Sequence, residues 1–287
     1  MAVIYNTERC LLGEGALWHP LREELLWFDI LAKRLHSKDR VWNFAVQVSA
    51  AGWLDADSLL IASEQGFFTL NLEKDTREAI VSLEAERATT RSNDGRADPY
   101  GGFWIGTMGK AAEHEAGAIY RYYRGEVRRL YDRITIPNAI CFSPSGDWAY
   151  FCDTAVRRVW RQRLDPKEGW PQGAPERWLD LSKSELNPDG AVVDRAGRFW
   201  NALWGAGAVA CYSPAGEPLF RLAVPAPQVT CPAFGGTGRK QLFCTSAREG
   251  LAAPMLERYP ASGATFALEL NELAMTIEGQ AEHRVVL

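Results

Sequence analysis

The sequence predicts an all-β fold, a single six-bladed β-propeller of four-stranded antiparallel blades that spans residues 1–287. First, a pattern of short apolar strand, tight polar turn and second apolar strand recurs six times along the chain. Second, large apolar residues in the second strands follow one another at 33, 44, 47, 49 and 43 positions, close to the blade length of about 40–45 residues. Third, several repeats begin with an acid or an amide, which would bring polar side chains to a common centre.

Tight turns separate the two strands of each repeat. Proline at the second position of a turn presets φ, and glycine at the fourth tolerates crowded geometry. The six turns are His19–Arg22, Asp55–Ser58, Asp98–Gly101, Ser143–Gly146, Asp194–Gly197 and Gly236–Arg239. The apolar residues after them, called the anchors below, are Trp27, Leu60, Trp104, Phe151, Trp200 and Phe243.

The two ends of the chain are expected to close the ring. An open ring would expose the unpaired edges of its first and last sheets. Residues 3–5 and 266–270 both have strand-like sequences. We therefore expect the N- and C-terminal strands to share one blade.

Composition limits the classes of partner. The 287 residues are 47% hydrophobic and carry a net charge of -4, so no basic field is available for nucleic acid or an anionic membrane. No signal peptide and no apolar run of about 18 residues is visible. Six scattered cysteines without metal-site spacing predict buried free thiols. We expect a cytoplasmic protein that is a monomer or a weak dimer.

Polar residues precede four anchors at similar distances. Glu14 lies 13 residues before Trp27, and Asn138 lies 13 residues before Phe151. Asn93 and Asp189 lie 11 residues before their anchors, Trp104 and Trp200. In these two repeats the position 13 residues before the anchor is taken by Arg91 and Asn187. Each of these residues, taken alone, could have only a structural role in a turn. Together they predict a shared site at the entrance of the channel, where Glu, Asn and Asp oxygens suit a divalent cation.

Six motifs resemble the senescence marker protein, gluconolactonase and luciferin-regenerating enzyme family. They cover nearly the whole chain, in the family's order. The motifs are residues 12–18, 91–96, 106–108, 137–138, 188–190, and 234–236 with 245–247.

The resemblance implies a six-bladed propeller that hydrolyses sugar lactones with one divalent metal ion. It implies that Glu14, Asn138 and Asp189 are the metal ligands, and that Arg91 and Asn93 contact substrate oxygens. Glu113, or Glu115 beside it, would match a substrate-binding acid on a lid loop. The chain departs from the family pattern at Ala16, where proline is common, and at Ala139, where glycine is frequent.

The sequence thus predicts a metal-dependent lactonase acting on a small-molecule sugar lactone, an aldono- or aldarolactone. Asp189 would be the general base for water. Calcium, zinc, magnesium and manganese all accept oxygen ligands, so the metal stays open. Three alternatives remain: a calcium- or ligand-binding propeller without turnover, a phosphotriesterase-like hydrolase, and a scaffold for protein partners.

Overall fold

The computed structural model describes residues 2–270, 273 and 275–287, and most of their regular structure is β-strand. The strands are β1 (Ala2–Asn6), β2 (Gly13–His19), β3 (Glu24–Asp29), β4 (Arg34–His36), β5 (Val41–Asn43), β6 (Val48–Trp53), β7 (Ser58–Ser63), β8 (Gly66–Asn71), β9 (Arg77–Ser82), β10 (Thr90–Ala97), β11 (Phe103–Gly109), β12 (Gly117–Tyr123), β13 (Glu126–Ile134), β14 (Pro137–Phe142), β15 (Trp148–Asp153), β16 (Arg158–Arg163), β17 (Glu176–Asp180), β18 (Asn187–Val193), β19 (Phe199–Trp204), β20 (Ala208–Tyr212), β21 (Pro218–Ala223), β22 (Gln228–Gly235), β23 (Gln241–Ala247) and β24 (Thr265–Leu268). Helical structure is confined to α1 (Ala253–Arg258) and two 3-10 turns, Thr154–Val156 and Thr237–Arg239, within the described ranges.

The strands form antiparallel sheets, which confirms the prediction of an all-β propeller. Four sheets have four strands each: β2 to β5, β6 to β9, β10 to β13 and β14 to β17. The other eight strands form one sheet in the order β1-β24-β23-β22-β19-β20-β21, with β18 paired to β19. The prediction of six separate four-stranded blades is therefore wrong: four stand apart. The last eight strands are joined because β19 extends to Trp204, which pairs with Gln228 at the start of β22.

Six strands surround the central axis: β2, β6, β10, β14, β18 and β22, called the inner strands below. Each contacts the next, and β22 contacts β2, so they form a closed ring. Each inner strand also has an irregularity in its pairing with the following strand. A β-bulge of this kind bends a strand and re-aims its side chains. Several predicted site residues lie at these irregularities.

The six anchors are buried side chains on the strands next to the inner ones. All of them are at most 2% exposed. Trp104 meets Phe142 of the next sheet edge-to-face, with ring centroids 5.7 Å apart, and Trp18 stacks on Phe243 at the same separation. Burying a large apolar side chain stabilises a fold by roughly 1.5–3 kcal/mol. The sequence period therefore marks the aromatic contacts that hold neighbouring sheets together.

The three predicted turns that end in glycine close with the expected hydrogen bond. The backbone N–H groups of Gly101, Gly146 and Gly197 donate to the carbonyls three residues earlier, at 3.2, 2.9 and 2.9 Å. The glycines have positive φ, for example 76° at Gly146, which side chains disfavour. Turn chemistry was thus a reliable guide to where these strand pairs reverse.

The ends of the chain meet the propeller in two places. Strand β1 pairs with β24, with Val3 opposite Ala267, as predicted for the terminal strands. Beyond β24 the C-terminal segment crosses the far end of the channel, where the inner strands finish. Gln280 donates to the carbonyls of Phe142 and Val193 there, and the backbone N–H of Val286 donates to Gly101.

The cysteines confirm the prediction of buried free thiols. All six are buried and none forms a disulfide. They belong to the apolar clusters between sheets, as with Cys211 and Cys244 near Trp200. Within the described residues no helix is long and apolar enough to cross a membrane.

Candidate active site

A cavity of about 590 Å³ opens at the end of the channel where the inner strands begin. Its volume lies in the range of small-molecule sites, about 300–1,000 Å³. Polar and apolar residues from several sheets line it: Leu12, Glu14, Arg91, Asn93, Met108, Lys110, Ala111, Ala112, Ile136, Asn138, Thr154, Ala155, Arg157, Asn187, Asp189, Trp204 and Glu249. The structure therefore brings five of the six predicted site residues into one cavity.

The bulges of the inner strands explain how side chains reach this cavity. After Glu14 the pairing of β2 shifts, and Gly15 has a φ of 56°. After Asn138 the pairing of β14 shifts in the same way, and Ala139 has a φ of 59°. A residue with a Cβ is disfavoured in this left-handed conformation. The preference for glycine after this asparagine in the resembling family therefore has a conformational cause, and Ala139 adopts the same backbone.

A chain of hydrogen bonds crosses the cavity wall from β10 to β18. Arg91 Nη1 donates to Asn93 Oδ1 at 2.7 Å, and Asn93 Nδ2 donates to Asn138 Oδ1 at 3.0 Å. Asn138 Nδ2 in turn donates to Thr154 Oγ1 at 3.0 Å, and Thr154 donates to the carbonyl of Pro188 at 2.6 Å. Because both amide nitrogens have partners, each amide is held in one orientation. Asn138 Oδ1 keeps a second lone pair for another ligand.

Three buried carboxyl groups lie close enough to repel one another. Burial raises the pKa of Glu14 to about 8, and the negative charge of Asp94 adds to the increase. Burial likewise raises the pKa of Asp189 well above its usual value, with Glu14 and then Asp94 as further causes. Burial also raises the pKa of Asp94 to about 6. Such shifts show that the site disfavours negative charge in the absence of a compensating cation.

The residues present fit a divalent cation. Asp189 Oδ1 is buried and has no hydrogen-bond partner among the described residues, which is costly for a carboxylate oxygen. A cation between Glu14, Asn138 and Asp189 would satisfy that oxygen and relieve the repulsion between the acids. No group of three or more His, Cys, Asp or Glu side chains suited to a metal occurs in the described part of the chain. A set of oxygen ligands here would thus include the neutral Asn138.

Glu113 lies apart from the other predicted residues. Its side chain is exposed, and its Oε2 accepts a hydrogen bond from the Ala111 backbone N–H at 3.1 Å. Glu115 pairs instead with Arg133 at 2.6 Å. The cavity is lined at this loop by Lys110 and the two alanines that follow it. The family resemblance indicates a residue on this loop, whereas the direction of its side chain depends on the loop conformation.

The sequence does not mark every residue in or beside the cavity. Asp94, whose charge acts on Glu14 and Asp189, stands in an Asn-Asp-Gly sequence that is typical of a turn. Thr154 and Arg157 follow the second strand of their sheet, whereas the residues predicted from spacing all precede the anchors. Glu249 follows the last of these second strands, β23. A search of the residues after each second strand would have found all three.

Together the fold and the cavity define a class: a β-propeller whose inner strands present acids, amides and an arginine to one small-molecule site. The family model described as SMP-30/Gluconolactonase/LRE-like region matches residues 12–248. The chain belongs to this family.

Two curated relatives and one solved structure show the range of similarity. A Rhizobium meliloti (strain 1021) protein whose name, sugar lactone lactonase, is provisional is 42% identical over 277 residues, covering 94% of this chain and 92% of its own length. The L-arabinolactonase of Azospirillum brasilense is 34% identical over 288 residues, covering 96% and 93%. The crystal structure of regucalcin from Agrobacterium tumefaciens str. C58, described as a calcium-binding protein, has a TM-score of 0.95 and 38% identity, covering 99% and 97%.

Proposed function

We propose that this chain is a metal-dependent sugar lactonase that hydrolyses an aldono- or aldarolactone to the open-chain sugar acid. The observation that carries the proposal is the buried pair Glu14 and Asp189, with an unpartnered Asp189 oxygen, beside Arg91 in a polar cavity. The lactonase names of the relatives support the same class of substrate. The proposal includes one domain over residues 1–287.

Glu14, Asn138 and Asp189 would hold the metal. A divalent cation, when bound there, supplies a Lewis acid that polarises the lactone carbonyl. Oxygen ligands of this kind accept calcium, magnesium, manganese or zinc. The fixed amide of Asn138, which donates to Thr154 and accepts from Asn93, would present its oxygen in a constant direction.

The remaining steps belong to the side chains. The oxygen of a water molecule attacks the carbonyl carbon of the lactone, and Asp189 accepts the proton released from that water. The bond between the carbonyl carbon and the ring oxygen then breaks, and the ring oxygen takes up the proton held by Asp189 to become a hydroxyl group, which restores the Asp189 carboxylate. Arg91 would stabilise the developing negative charge on the substrate oxygen, since it is always a cation. Asn93 would form a hydrogen bond with a hydroxyl group of the substrate. Glu113 is predicted to do the same, which requires its loop to turn toward the cavity.

A second candidate is a calcium-binding propeller without turnover. It is favoured by the description of the similar Agrobacterium structure as a calcium-binding protein. Both candidates use the same carboxylates, so only turnover separates them.

The test is a panel of sugar lactones assayed with a pH indicator. The purified protein is first freed of metal with a chelator, and each of the four cations is then returned separately. We expect acid release with at least one lactone and one cation, and its loss on renewed chelation. Binding of calcium by calorimetry without hydrolysis of any lactone would favour the second candidate. Hydrolysis that survives chelation would contradict the metal-dependent mechanism.

Arg91→Lys is expected to lower kcat/KM for a sugar lactone by about 10–100-fold. Arg91 Nη1 donates to Asn93 Oδ1 and to the carbonyl of Ser92, at 2.7 and 3.0 Å. A lysine ammonium cannot keep both bonds and also face the substrate with a rigid fork of donors. Metal affinity, measured by calorimetry, should hardly change.

The matched control is Arg128→Lys, because Arg128 is an exposed partner of Glu126 on an outer strand. That control should keep the parent kcat/KM. Equal activity of the Arg91→Lys variant and the parent would show that Arg91 does not touch the substrate.

A further inference from the structure

Arg157 is a cavity-lining cation that the proposed reaction does not use. It follows the 3-10 turn after β15, and its backbone has a left-handed φ of 56°. Non-glycine residues in such conformations are uncommon and cluster at functional sites. The backbone N–H of Arg157 donates to the carbonyls of Asp153 and Thr154, at 3.0 and 3.2 Å, so the turn holds this conformation.

The guanidinium of Arg157 is fixed but incompletely used. Its Nε donates to Asn187 Oδ1 at 2.9 Å, and its Nη1 donates to the carbonyl of Ser184 at 2.8 Å. Asn187 is oriented in turn, because its Nδ2 donates to the carbonyl of Trp204 at 3.2 Å. A guanidinium has five N–H donors in a planar fork. Three of them remain for a ligand, two on Nη2 and one on Nη1.

Arg157 also lacks a compensating charge. Among the described residues no carboxylate forms a salt bridge with it, whereas the adjacent Arg158 pairs with Asp180. The other cations of the cavity have carboxylates nearby: Lys110 pairs with Glu64 at 2.5 Å, whereas Arg91 forms no salt bridge among the described residues but lies near the carboxylates of Glu249, Glu14 and Asp189. Glu14 and Asp189 would face the metal. Arg157 is therefore the cavity cation left for an anion.

The position of Arg157 suits the far end of a sugar chain. Asn187, which holds it, lies two residues before Asp189 on the same inner strand, and both line the cavity. Alternate residues of a strand lie about 7 Å apart. That separation is comparable to the length of an extended five- or six-carbon chain. A substrate with its lactone carbonyl beside Asp189 could thus place its other end at Arg157.

We propose that Arg157 is a specificity-determining residue that binds a carboxylate at the end of the substrate remote from the lactone carbonyl. The substrate class is then the aldarolactones, the monolactones of sugar dicarboxylic acids. This inference rests on the lactonase function proposed above. A carboxylate matches the planar guanidinium with two parallel hydrogen bonds, which a terminal hydroxyl group cannot do.

The experiment compares an aldarolactone with the neutral aldonolactone of the same carbon number. The parent protein should favour the aldarolactone in kcat/KM by about 10-fold or more. Arg157→Gln should lower kcat/KM for the aldarolactone by about 10–100-fold, mainly through KM, and change the aldonolactone value by less than about 3-fold. For Arg157→Lys, kcat/KM for the aldarolactone should lie between the values of the parent and of Arg157→Gln.

Arg158→Gln is the matched control, because it removes the neighbouring arginine, which does not line the cavity. Its preference between the two lactones should equal that of the parent. An equal loss of both activities in Arg157→Gln would overturn the inference, since Arg157 would then only tie the turn to residues 184–187. A parent protein that prefers the neutral lactone would overturn it as well.

A binding measurement separates this inference from the proposed reaction. The open-chain aldarate and aldonate are titrated into the parent and the Arg157→Gln variant by calorimetry. One outcome is that no lactone is hydrolysed, that the parent binds the aldarate more tightly than the aldonate, and that Arg157→Gln binds both alike. The lactonase proposal then fails and the anion site stands. If neither protein distinguishes the two sugar acids, the anion site fails.

Discussion

Asp189→Asn is expected to reduce lactone hydrolysis by at least about 10³-fold, because the variant loses both the proposed base and an anionic metal ligand. The change keeps the shape of the side chain, so a loss of folding is not expected. The backbone around Asp189 is held separately, since Asn201 Nδ2 donates to the carbonyls of Asp189 and Gly190 at 2.8 and 3.1 Å. Hydrolysis rates at saturating metal are the first measurement.

Thermal unfolding gives a second and independent measurement of the same variant. In the metal-free parent the Asp189 carboxylate is buried, with an unpartnered oxygen, near Glu14. Replacing it by a neutral amide removes that repulsion, so the metal-free variant should melt at or above the temperature of the parent. A metal that binds the folded state raises the melting temperature of the parent. This rise should largely disappear in the variant.

The pH dependence of the stability of the metal-free parent tests whether the buried carboxyl groups cause this effect. Glu14 has a pKa of about 8 in the fold, against an ordinary value of 4.5, and Asp189 is shifted in the same direction. Both groups therefore bind protons more tightly when folded. Their contribution to stability is fully present below about pH 4 and is lost as the pH rises through the folded pKa values. The free energy of unfolding from this source should fall between about pH 4 and 8, and less steeply in Asp189→Asn.

Asp165→Asn is the control for both measurements. Asp165 accepts hydrogen bonds from the backbone N–H groups of Lys167 and Glu168 in a surface turn, a role that asparagine also fills. Substantial hydrolysis by Asp189→Asn would place the base elsewhere. A full metal-induced rise in its melting temperature would remove Asp189 from the ligand set.

The sequence predicted the parts of this molecule that depend on local chemistry and repetition. Trp104 and Trp200 recur because each sheet needs a large apolar side chain at the same depth. The turn at Asp98 was visible because proline presets φ and glycine accepts the positive φ that the turn requires. Asn138 and Asp189 were predicted to share the cavity because repeats place equivalent positions at equivalent heights.

Other features depend on contacts between distant segments. Trp204 joins two four-strand units through its pairing with Gln228, and no local pattern records that pairing. Glu113 turns back toward Ala111, which only the loop conformation decides. The side chain of Arg157 is positioned by hydrogen bonds to Asn187 and Ser184, which lie about 30 residues further along the chain. Tertiary contacts of this kind explain why the sequence showed where the site lies but not all the residues that line it.

Asp98→Ala is expected to destabilise the protein by about 3–5 kcal/mol, since it leaves a buried arginine without its carboxylate. Asp98 and Arg121 are both completely buried. Arg121 Nε donates to Asp98 Oδ2 at 2.6 Å and its Nη2 donates to Oδ1 at 3.2 Å. The Asp98 carboxylate also accepts from the backbone N–H groups of Tyr100 and Gly102. Chemical denaturation of the parent and the variant measures the difference.

The double variant Asp98→Ala, Arg121→Met separates the ion pair from the turn. Methionine removes the buried charge and fills part of the space between the rings of Tyr123 and Trp170, each 4.4 Å from the guanidinium carbon. The double variant should recover part of the lost stability, because a buried charge without a partner costs more than a missing pair. The part not recovered measures the bonds from Tyr100 and Gly102 together with the altered packing around Arg121. The single variant Arg121→Met completes the comparison. If the double variant loses as much stability as the two single variants together, the ion pair contributes no coupling energy and the turn alone accounts for the loss.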